Sequence, residues 1–434
     1  MIEINIKNSW ILLRRNFSKR RVCIVRSVLK KLGVLLTAFV LIFSTYMLIT
    51  PYPTSAANKV TYTISPTTKP TDKTMLSFTT YNTYTKHYYL IRSYLEKLEK
   101  TGGGTLVIKK GTYTISNTLY VPSNVTIEML DGVKMIKGTK TGTSKFSAAK
   151  SIFQLIKPSK SLISGVYGKY DGERNITFRG KGTVTFDMKY VKDGIAIIAG
   201  HNQNVLVDNI DFKNLYSGHF IELDASKNVK IRNSSFIGSK AASNVNKEAI
   251  NLDTPDKTTL GWSQIWSKYD KTPNQYVTIE NNLFKSLDRA IGTHKYSGGK
   301  YHDKVVLRNN QISEIRSDAI RVMNWSNAII EGNTIENVAG GIATKRGILV
   351  SGAKNPMIQN NTFKSVGRII QFMPWKNSGP GSQYSVTYNQ LSAANKSALF
   401  TNKATNVAET IIRINNQYNE FIKNTEKLQL GQGT

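Results

Sequence analysis

Short apolar segments in the middle of the chain carry acidic, histidine and arginine side chains at alternate positions. Successive side chains of a β-strand point to opposite faces, so the isoleucine and leucine or valine positions should face a core. The positions between them should then form a solvent-exposed stripe of groups that donate protons, accept protons or stabilise charge. The aligned segments are Ile221-Glu222-Leu223-Asp224, Ile250-Asn251-Leu252-Asp253, Ile291-Gly292-Thr293-His294 and Ile320-Arg321-Val322-Met323.

The stripe supplies the two carboxyl groups that glycoside hydrolysis requires. If each aligned segment is a strand on one coil of a repeating chain, strands of neighbouring coils lie about 4.8 Å apart. Residues two apart on one strand lie about 6.7 Å apart. The backbone positions of Glu222 and Asp253 are then roughly 8 Å apart, within the ~6.5–9.5 Å range of inverting glycosidases. Asp224 and Asp253 should stack directly, and two carboxylates so close raise the pKa of one of them.

A second enzyme class fits the same stripe. A polysaccharide lyase needs a base that removes the proton next to a uronate carboxylate and a cation that stabilises the carbanion. His294, Lys295, Tyr296, Arg289 and Arg321 offer those groups. We expect no cofactor for the hydrolase and assign no metal ligands, whereas a lyase would allow a Ca²⁺ site built from clustered carboxylates. Such a site would use Glu222, Asp224, Asp253 and Glu248.

A third reading is a non-catalytic polysaccharide-binding surface protein, because a repeat scaffold presents a long groove whether or not it catalyses. The candidates for catalysis are Asp253, Glu222, Asp224, His294 and Arg321. Residues that flank them are the candidates for substrate contact: His219, Glu248, Asn251, Arg289, Lys295, Tyr296, His302 and Trp325.

An internal repeat of roughly two dozen residues predicts the scaffold that positions these groups. Its sixth residue is Asn or Gly, its apolar residues alternate, and stacked Asn side chains suit the turns of a parallel β-solenoid. The sequence therefore predicts an all-β, parallel β-solenoid. A large insertion with Trp262 and Trp266 separates two of the repeats. The copies begin at Asn175, Asn204, Asn228, Tyr276, Lys304, Asn327 and Asn355.

Three segments are expected along the chain. Residues 1–57 combine a basic region, an apolar run and small residues, as in a signal peptide, although the apolar run is also long enough for an N-terminal membrane anchor. Residues 58–74 are rich in Thr, Pro and Lys and are expected to be a solvated linker. Residues 75–434 should form the β-helix, with one short helix over Leu90–Leu98 capping its N-terminal end.

The charge balance limits the partners. The 434 residues include 59 Lys or Arg and 28 Asp or Glu, a formal charge of +31, and a single Cys. Export argues against nucleic acid, and a basic surface outside a cell favours polyanions. We expect a secreted or cell-wall-associated monomer whose partner is an extracellular, anionic polysaccharide, with membrane contact only if the N-terminal segment is retained.

The chain resembles the right-handed parallel β-helix proteins of the pectate lyase superfamily. The likeness starts with the helix and the Gly102–Tyr113 segment, GGGTLVIKKGTY, and covers most of the chain. Asn251-Leu252-Asp253-Thr254-Pro255-Asp256 resembles the Asn-Thr-Asp-Gly-x-Asp motif of the polygalacturonases, glycoside hydrolase family 28, and Ala319–Met323 resembles their Gly-Ile-Arg-Ile-Lys. The resemblance implies that Asp253 is the general acid and Arg321 a ligand of the substrate carboxylate. The paired Asp-Asp and Gly-His-Gly motifs of that family are not recognisable, and Met323 replaces its Lys.

Overall fold

In a computed structural model of the protein, the described residues are 60–241, 247–342, 344–374, 387–415 and 426–430. They fall within one compact unit. The predicted signal peptide or anchor at 1–57 lies outside the described residues. Among the helices in the described residues, none is long and apolar enough to cross a membrane.

Three parallel sheets run along the molecule, and each coil of the chain contributes one strand to each sheet in turn. Sheet A contains Thr61–Ile64, Gly104–Ile108, Val125–Met129, Arg174–Gly180, Gln203–Asp208, Lys227–Arg232, Gln275–Glu280, His302–Asp303, Val306–Arg308, Trp325–Ser326, Ile329–Glu331 and Met357–Gln359. Sheet B contains Gly111–Ile115, Val133–Lys137, Val184–Asp187, Asp211–Leu215, Ser235–Ser239, Leu283–Leu287, Gln311–Ile315, Thr334–Val338, Thr362–Val366 and Lys403–Thr405.

Sheet C carries the segments predicted to hold the site. Its strands are Leu119–Tyr120, Ser151–Gln154, Ile195–Gly200, His219–Asp224, Glu248–Asp253, Arg289–Gly292, Ile320–Met323, Arg346–Ser351, Arg368–Phe372, Ile411–Ile414 and Glu426–Gln429. The last of these runs antiparallel to its neighbour. The predicted right-handed parallel β-helix is confirmed.

The predicted strand register is also confirmed. Ile221 pairs with Ile250, Ile250 with Ile291, and Ile291 with Ile320, so one isoleucine column runs up the inside of sheet C. These isoleucines are at most 1% exposed. Phe212, Phe236 and Phe284 form a second inner column on sheet B, with ring centroids 4.8–4.9 Å apart, the spacing of the strands themselves.

Helices occur mainly at the two ends of the coil stack. Lys86–Lys100 is an α-helix that buries Leu90, Ile91, Leu95 and Leu98 against the first coils, as predicted for the N-terminal cap. A short α-helix, Ala393–Leu399, packs against one of the last strands of sheet A. Single turns of 3-10 helix span Lys73–Ser77, Pro158–Lys160 and Ala339–Gly341.

The predicted linker at 58–74 is wrong over part of its length. Thr61–Ile64 is a strand that pairs in parallel with Gly104–Ile108. Open solenoid ends expose unpaired strand edges and apolar core, so an added strand that satisfies the first edge is favoured over a solvated segment. The β-helix therefore begins before residue 75.

A buried asparagine ladder stabilises the turns between sheets A and B. Asn333 Nδ2 donates to the backbone oxygen of Leu307 at 2.9 Å and to Asn361 Oδ1 at 2.9 Å. Its Oδ1 accepts from the backbone and side-chain nitrogens of Asn310 at 3.0 and 2.9 Å. The buried ladder consists of Asn282, Asn310, Asn333, Asn361 and Asn402.

We predict that Asn333→Ala lowers the free energy of unfolding by about 2–3 kcal/mol, because it leaves buried backbone and amide groups without partners. The matched control is Asn355→Gly. It removes an exposed amide that bonds Asn327 at 3.1 Å and keeps a residue suited to the φ of 52°. Urea unfolding of both variants checks this, and equal losses would show that the buried ladder does not stabilise the fold.

Candidate functional site

The outward columns of sheet C place the predicted acids side by side. Glu222 pairs in register with Asn251, and Asp224 with Asp253. On the coil before, the matching position is Gly200, where a Cβ would lie 2.5 Å from the Trp262 ring. Trp262, which belongs to the insertion, therefore covers this column at Gly200, on the coil next to Asp224.

The expectation that these columns face solvent is wrong. Glu222 is 7% exposed, Asp253 1% and Asp224 0%. Residues after Gly292 leave the strand and fold back over the column, and the backbone N–H groups of His294 and Lys295 donate to Asp253 Oδ1 at 3.1 and 2.9 Å. Alternation correctly separates the two faces of a strand, but it does not say what covers the outer face.

Burial changes the ionisation of this acidic cluster, which comprises Glu222, Asp224 and Asp253. Desolvation, and next the charge of Asp253, raise the pKa of Glu222 to about 8. Desolvation and the two neighbouring carboxyl groups raise the pKa of Asp224 well above its usual range, and neither of its oxygens has a hydrogen-bond partner. Desolvation raises the pKa of Asp253, while His294 and the Lys295 N–H oppose the rise. The cluster therefore holds protons at neutral pH.

His294 connects the acidic cluster to the rest of the site. Its Nδ1 lies 3.1 Å from Asn251 Oδ1, 3.2 Å from Glu248 Oε2 and 3.5 Å from Asp253 Oδ2. Its Nε2 lies 3.3 Å from Lys247 Nζ, which can donate to it. A ring with its proton on Nδ1 donates to Asn251 Oδ1 and accepts from Lys247 at Nε2, with the two carboxylate oxygens close to the same N–H.

Glu248 is the ionised member of the site. Burial by itself would raise its pKa, but His294 and Arg289 hold the pKa well below its usual range. Arg289 Nη1 donates to Glu248 Oε1 at 2.8 Å, and its Nη2 lies 3.9 Å from Asp318 Oδ2. Removing either partner of this buried pair would leave an uncompensated charge, so the pair holds the Glu248 side chain in place. Glu248 in turn contacts His294 and helps to fix the position of its ring.

Arg321 lies one coil further along and is partly exposed. Burial, and next the charge of Arg289, lower the pKa of Arg321 to about 10, so it is a cation at neutral pH. Together with Lys247 and Lys295 it places positive charge beside the acidic cluster, which suits an anionic ligand.

Several predicted substrate contacts are buried instead. Trp325, Tyr296 and His302 are 0% exposed, so they have no contact with solvent, and their role in substrate binding stays a prediction. The Trp325 indole N–H donates to Thr293 Oγ1 at 2.8 Å and helps to fix the turn before His294. His302 Nδ1 accepts from the backbone N–H of Asn274 at 2.9 Å, and burial lowers its pKa to about 3.

Sequence reasoning missed Lys247, which contacts His294. Lys247 directly precedes the strand Glu248–Asp253. Its position next to a strand that carries candidate residues was the only signal in the sequence that could have identified it. Alignment of columns finds residues within strands, whereas Lys247 reaches the site from outside its strand.

One group among the described residues has the geometry of a metal site, namely His219, Glu248 and His294, each of which offers an atom within 4.8 Å of the others. Two imidazoles and one carboxylate suit a transition metal better than Ca²⁺. His219 Nδ1 lies 2.6 Å from the backbone oxygen of Glu248, and Arg289 already pairs with the Glu248 carboxylate. Those two contacts engage His219 Nδ1 and Glu248 Oε1, whereas Glu248 Oε2 has no hydrogen-bond partner among the described residues. The Ca²⁺ site expected for a lyase stays a prediction.

The fold and this site define a right-handed parallel β-helix protein with a buried acidic cluster on one sheet. A family model for the right-handed β-helix region matches residues 263–427. Plasmin and fibronectin-binding protein A of Streptococcus pneumoniae (strain ATCC BAA-255 / R6) is 23% identical in an alignment 270 residues long that covers 55% of this chain and 35% of that protein. The match thus spans about a third of the length of the curated relative.

A solved structure with the same fold and a more distant one are similar to this chain. The crystal structure of PfbA, a surface adhesin of Streptococcus pneumoniae, aligns with a TM-score of 0.55 and 18% identity over 77% of this chain and 76% of that one. A hyperthermoactive exopolygalacturonase from Thermotoga maritima aligns with a TM-score of 0.40 and 13% identity over 78% of this chain and 88% of that one.

We predict that wild-type stability falls as the pH rises from about 5 to 9 and that Glu222→Gln removes part of this fall. A carboxyl group whose pKa is near 4.5 in the unfolded chain and about 8 when folded binds more protons in the folded state, so stability is lost as the pH rises through that interval. Melting temperatures across the pH series measure the effect. Glu336→Gln, at a carboxylate ion-paired to Lys364, is the control; parallel curves for Glu222→Gln and wild type would contradict the prediction.

Proposed function

We propose that the protein cleaves an extracellular, anionic polysaccharide by glycoside hydrolysis, with Glu222 and Asp253 as the two carboxyl groups. The single observation that carries this proposal is the acidic cluster itself. Its three carboxyl groups lie on two adjacent coils, they are buried together, and the pKa of each is raised. Placing like charges together in a desolvated site is unfavourable for stability, and such sites are typical of acid–base catalysis.

The two carboxyl groups suit different roles. Glu222, with a pKa of about 8, retains a proton at neutral pH and can donate it to the glycosidic oxygen. Asp253 accepts two backbone N–H bonds and lies beside His294, so it is the better site for the negative charge. It would take a proton from water while the hydroxyl adds to the anomeric carbon and the glycosidic bond breaks. This assignment reverses the role of general acid that the family resemblance implies for Asp253.

The exposed groups of the site support an anionic substrate. Lys247, Lys295 and Arg321 are partly exposed, and His294 is 18% exposed in side-chain area, so the accessible part of the site is cationic. A guanidinium pairs well with the planar carboxylate of a uronic acid. Residues 1–57 hold nine Lys or Arg and one Glu, so the rest of the chain still has a formal charge of +23, which would draw such a polymer to the protein by long-range attraction.

An extracellular location is part of the proposal. It is supported by the signal-like residues 1–57 and by the likeness to a protein described as a surface adhesin. At that location the substrate would be an extracellular polymer.

One observation favours a second function. The curated relative is named for binding plasmin and fibronectin, so a non-catalytic surface protein of the same fold is the alternative. The deep burial of the acidic cluster is compatible with it, because a buried cluster is reached by substrate only after its covering groups move.

A screen against polygalacturonate, alginate, glycosaminoglycans and wall-derived polymers separates these functions. New reducing ends without ultraviolet absorbance support hydrolysis. New ends with an unsaturated chromophore indicate a lyase, in which His294 and Arg321 carry the reaction. Binding without new ends indicates the surface-binding protein.

We predict that Asp253→Asn and Glu222→Gln each reduce turnover by at least ~100-fold, since general acid–base catalysis contributes about 10²–10⁴-fold. Both replacements are nearly isosteric, so circular dichroism and the melting transition should show an intact fold. Asp211→Asn, on sheet B, is the matched control and should keep full turnover. Near-full activity of Asp253→Asn would remove the base from this scheme.

We also predict that kcat/KM falls above pH about 8, because the general acid must be protonated and the pKa of Glu222 is about 8. Initial rates from pH 5 to 10 measure the alkaline limb. If the residual activity of Glu222→Gln shows the same fall in kcat/KM at alkaline pH as the wild type, another group is the proton donor.

A further inference from the structure

An exposed asparagine ladder follows the turn between sheets C and A. Asn175 Nδ2 donates to Asn124 Oδ1 at 2.8 Å, Asn204 to Asn175 at 2.9 Å, and Asn228 to Asn204 at 3.2 Å. Each of these residues has a left-handed backbone, with φ between 56° and 61°. Asparagine tolerates that conformation better than other residues with a Cβ, so the ladder suits its position.

Two residues interrupt the ladder against this local preference. The next two coils carry Tyr276 and Lys304 at the equivalent position, both with φ of 55°, before Asn327 and Asn355 resume the ladder. A tyrosine or lysine in the left-handed region strains the backbone, and strained positions are retained where the surroundings or a function require them. The side chains of Tyr276 and Lys304 therefore need an explanation other than turn formation.

Tyr276 and Lys304 belong to an alternating stack of cations and aromatic rings. Lys227 Nζ lies 5.7 Å from the ring centre of Tyr170 and 5.8 Å from that of Tyr276. Lys304 Nζ lies 4.8 Å from the Tyr276 ring centre and 3.3 Å from its hydroxyl. We call Lys227, Tyr276 and Lys304 the basic stripe.

The two ammonium groups of the basic stripe are held in place and left available. Within the described part of the chain, neither Lys227 nor Lys304 forms an ion pair with a carboxylate, whereas Lys285 and Lys364 on sheet B pair with Glu314 and Glu336. Tyr276 is 42% exposed, and Lys304 is exposed. Because their strands are two ladder steps apart, the two lysines are about 9.6 Å apart along the axis.

We propose that the basic stripe is a binding subsite for an acidic polysaccharide, in which Lys227 and Lys304 contact carboxylates repeated along one chain and Tyr276 holds the two ammonium groups apart. A polymer with regularly spaced negative charges matches a row of fixed cations better than a folded protein surface does. Among the described residues the neighbouring carboxylate of Asp303 forms no ion pair with Lys227 or Lys304; it accepts instead from Ser326 Oγ and Asn327 Nδ2, both at 2.8 Å.

The basic stripe borders the candidate site. Lys227 follows Asp224 by three residues, and Lys304 follows the buried His302 by two, so a chain lying on the stripe passes the ends of the sheet C strands. The substrate class rests on the proposed function, but the subsite itself does not require catalysis. It can therefore be tested by binding alone.

The test uses the double variant Tyr276→Asn/Lys304→Asn, which restores the ladder residue of the neighbouring coils at both positions. We expect its affinity for polygalacturonate, measured by isothermal titration in the Asp253→Asn background, to fall about two- to fivefold, as for the loss of one surface charge contact. Its melting temperature should stay the same or rise, because Asn relieves the backbone strain.

Lys189→Asn is the matched control. Lys189 is exposed and has a φ of 54°, but it lies beyond the end of a sheet B strand, so this variant removes one positive charge and one strained position elsewhere. Equal affinities of the double variant and Lys189→Asn would overturn the subsite. Equally tight binding of poly-glutamate would overturn the assignment to a polysaccharide.

The readout separates this inference from the proposed function. If polygalacturonate binds in a stripe-dependent way but wild-type protein cleaves none of the screened polymers, the subsite stands and hydrolysis fails. If cleavage occurs and its KM for polygalacturonate does not change in the double variant, hydrolysis stands and the subsite fails.

Discussion

Stacking of successive coils in register is the constraint on which the rest of this structure depends. Each strand lies about 4.8 Å from its equivalent in the next coil, so residues at equivalent positions contact each other throughout the stack. The isoleucine column of sheet C, the phenylalanine column of sheet B and the buried asparagine ladder are favourable outcomes of this repetition. The same repetition forces Asp224 onto Asp253, which is unfavourable unless protons are taken up.

Two neighbouring parts of the candidate site resolve buried charge in opposite ways. Glu248 stays ionised because Arg289 and His294 compensate it, and Arg289 lies near Asp318 in turn. Glu222 and Asp224 have no comparable cation in contact among the described residues, so burial raises their pKa. His294 touches both parts, through Glu248 on one side and Asp253 on the other. A proton added to or removed from the acidic cluster therefore changes the field at His294 and at the exposed cations around it.

The relation between hydrolysis and surface binding follows from the same scaffold. A parallel β-helix offers one extended face, and a few side chains on three coils decide whether that face catalyses. The acidic cluster favours catalysis, and the basic stripe beside it favours retention of a charged polymer. In both proposals the ligand is the same long anionic polymer, which the basic stripe would hold while the acidic cluster acts on it.

The sequence by itself determined the coil, the register and the membership of the stacked columns, because an alternation of apolar and polar residues repeated every two dozen residues fits a single packing of strands. It also identified Glu222, Asp224, Asp253, His294 and Arg321 as one group. Only the tertiary structure decided that the acids are buried. The backbone after Gly292 bonds to Asp253, and Trp262 of the insertion lies against Gly200 on the coil next to Asp224; neither segment follows the repeat. It alone placed Trp325, Tyr296 and His302 inside and brought Lys247 to His294. Periodicity fixes which residues are neighbours within sheets, whereas the paths of the loops set solvent access and thereby the pKa of each acid.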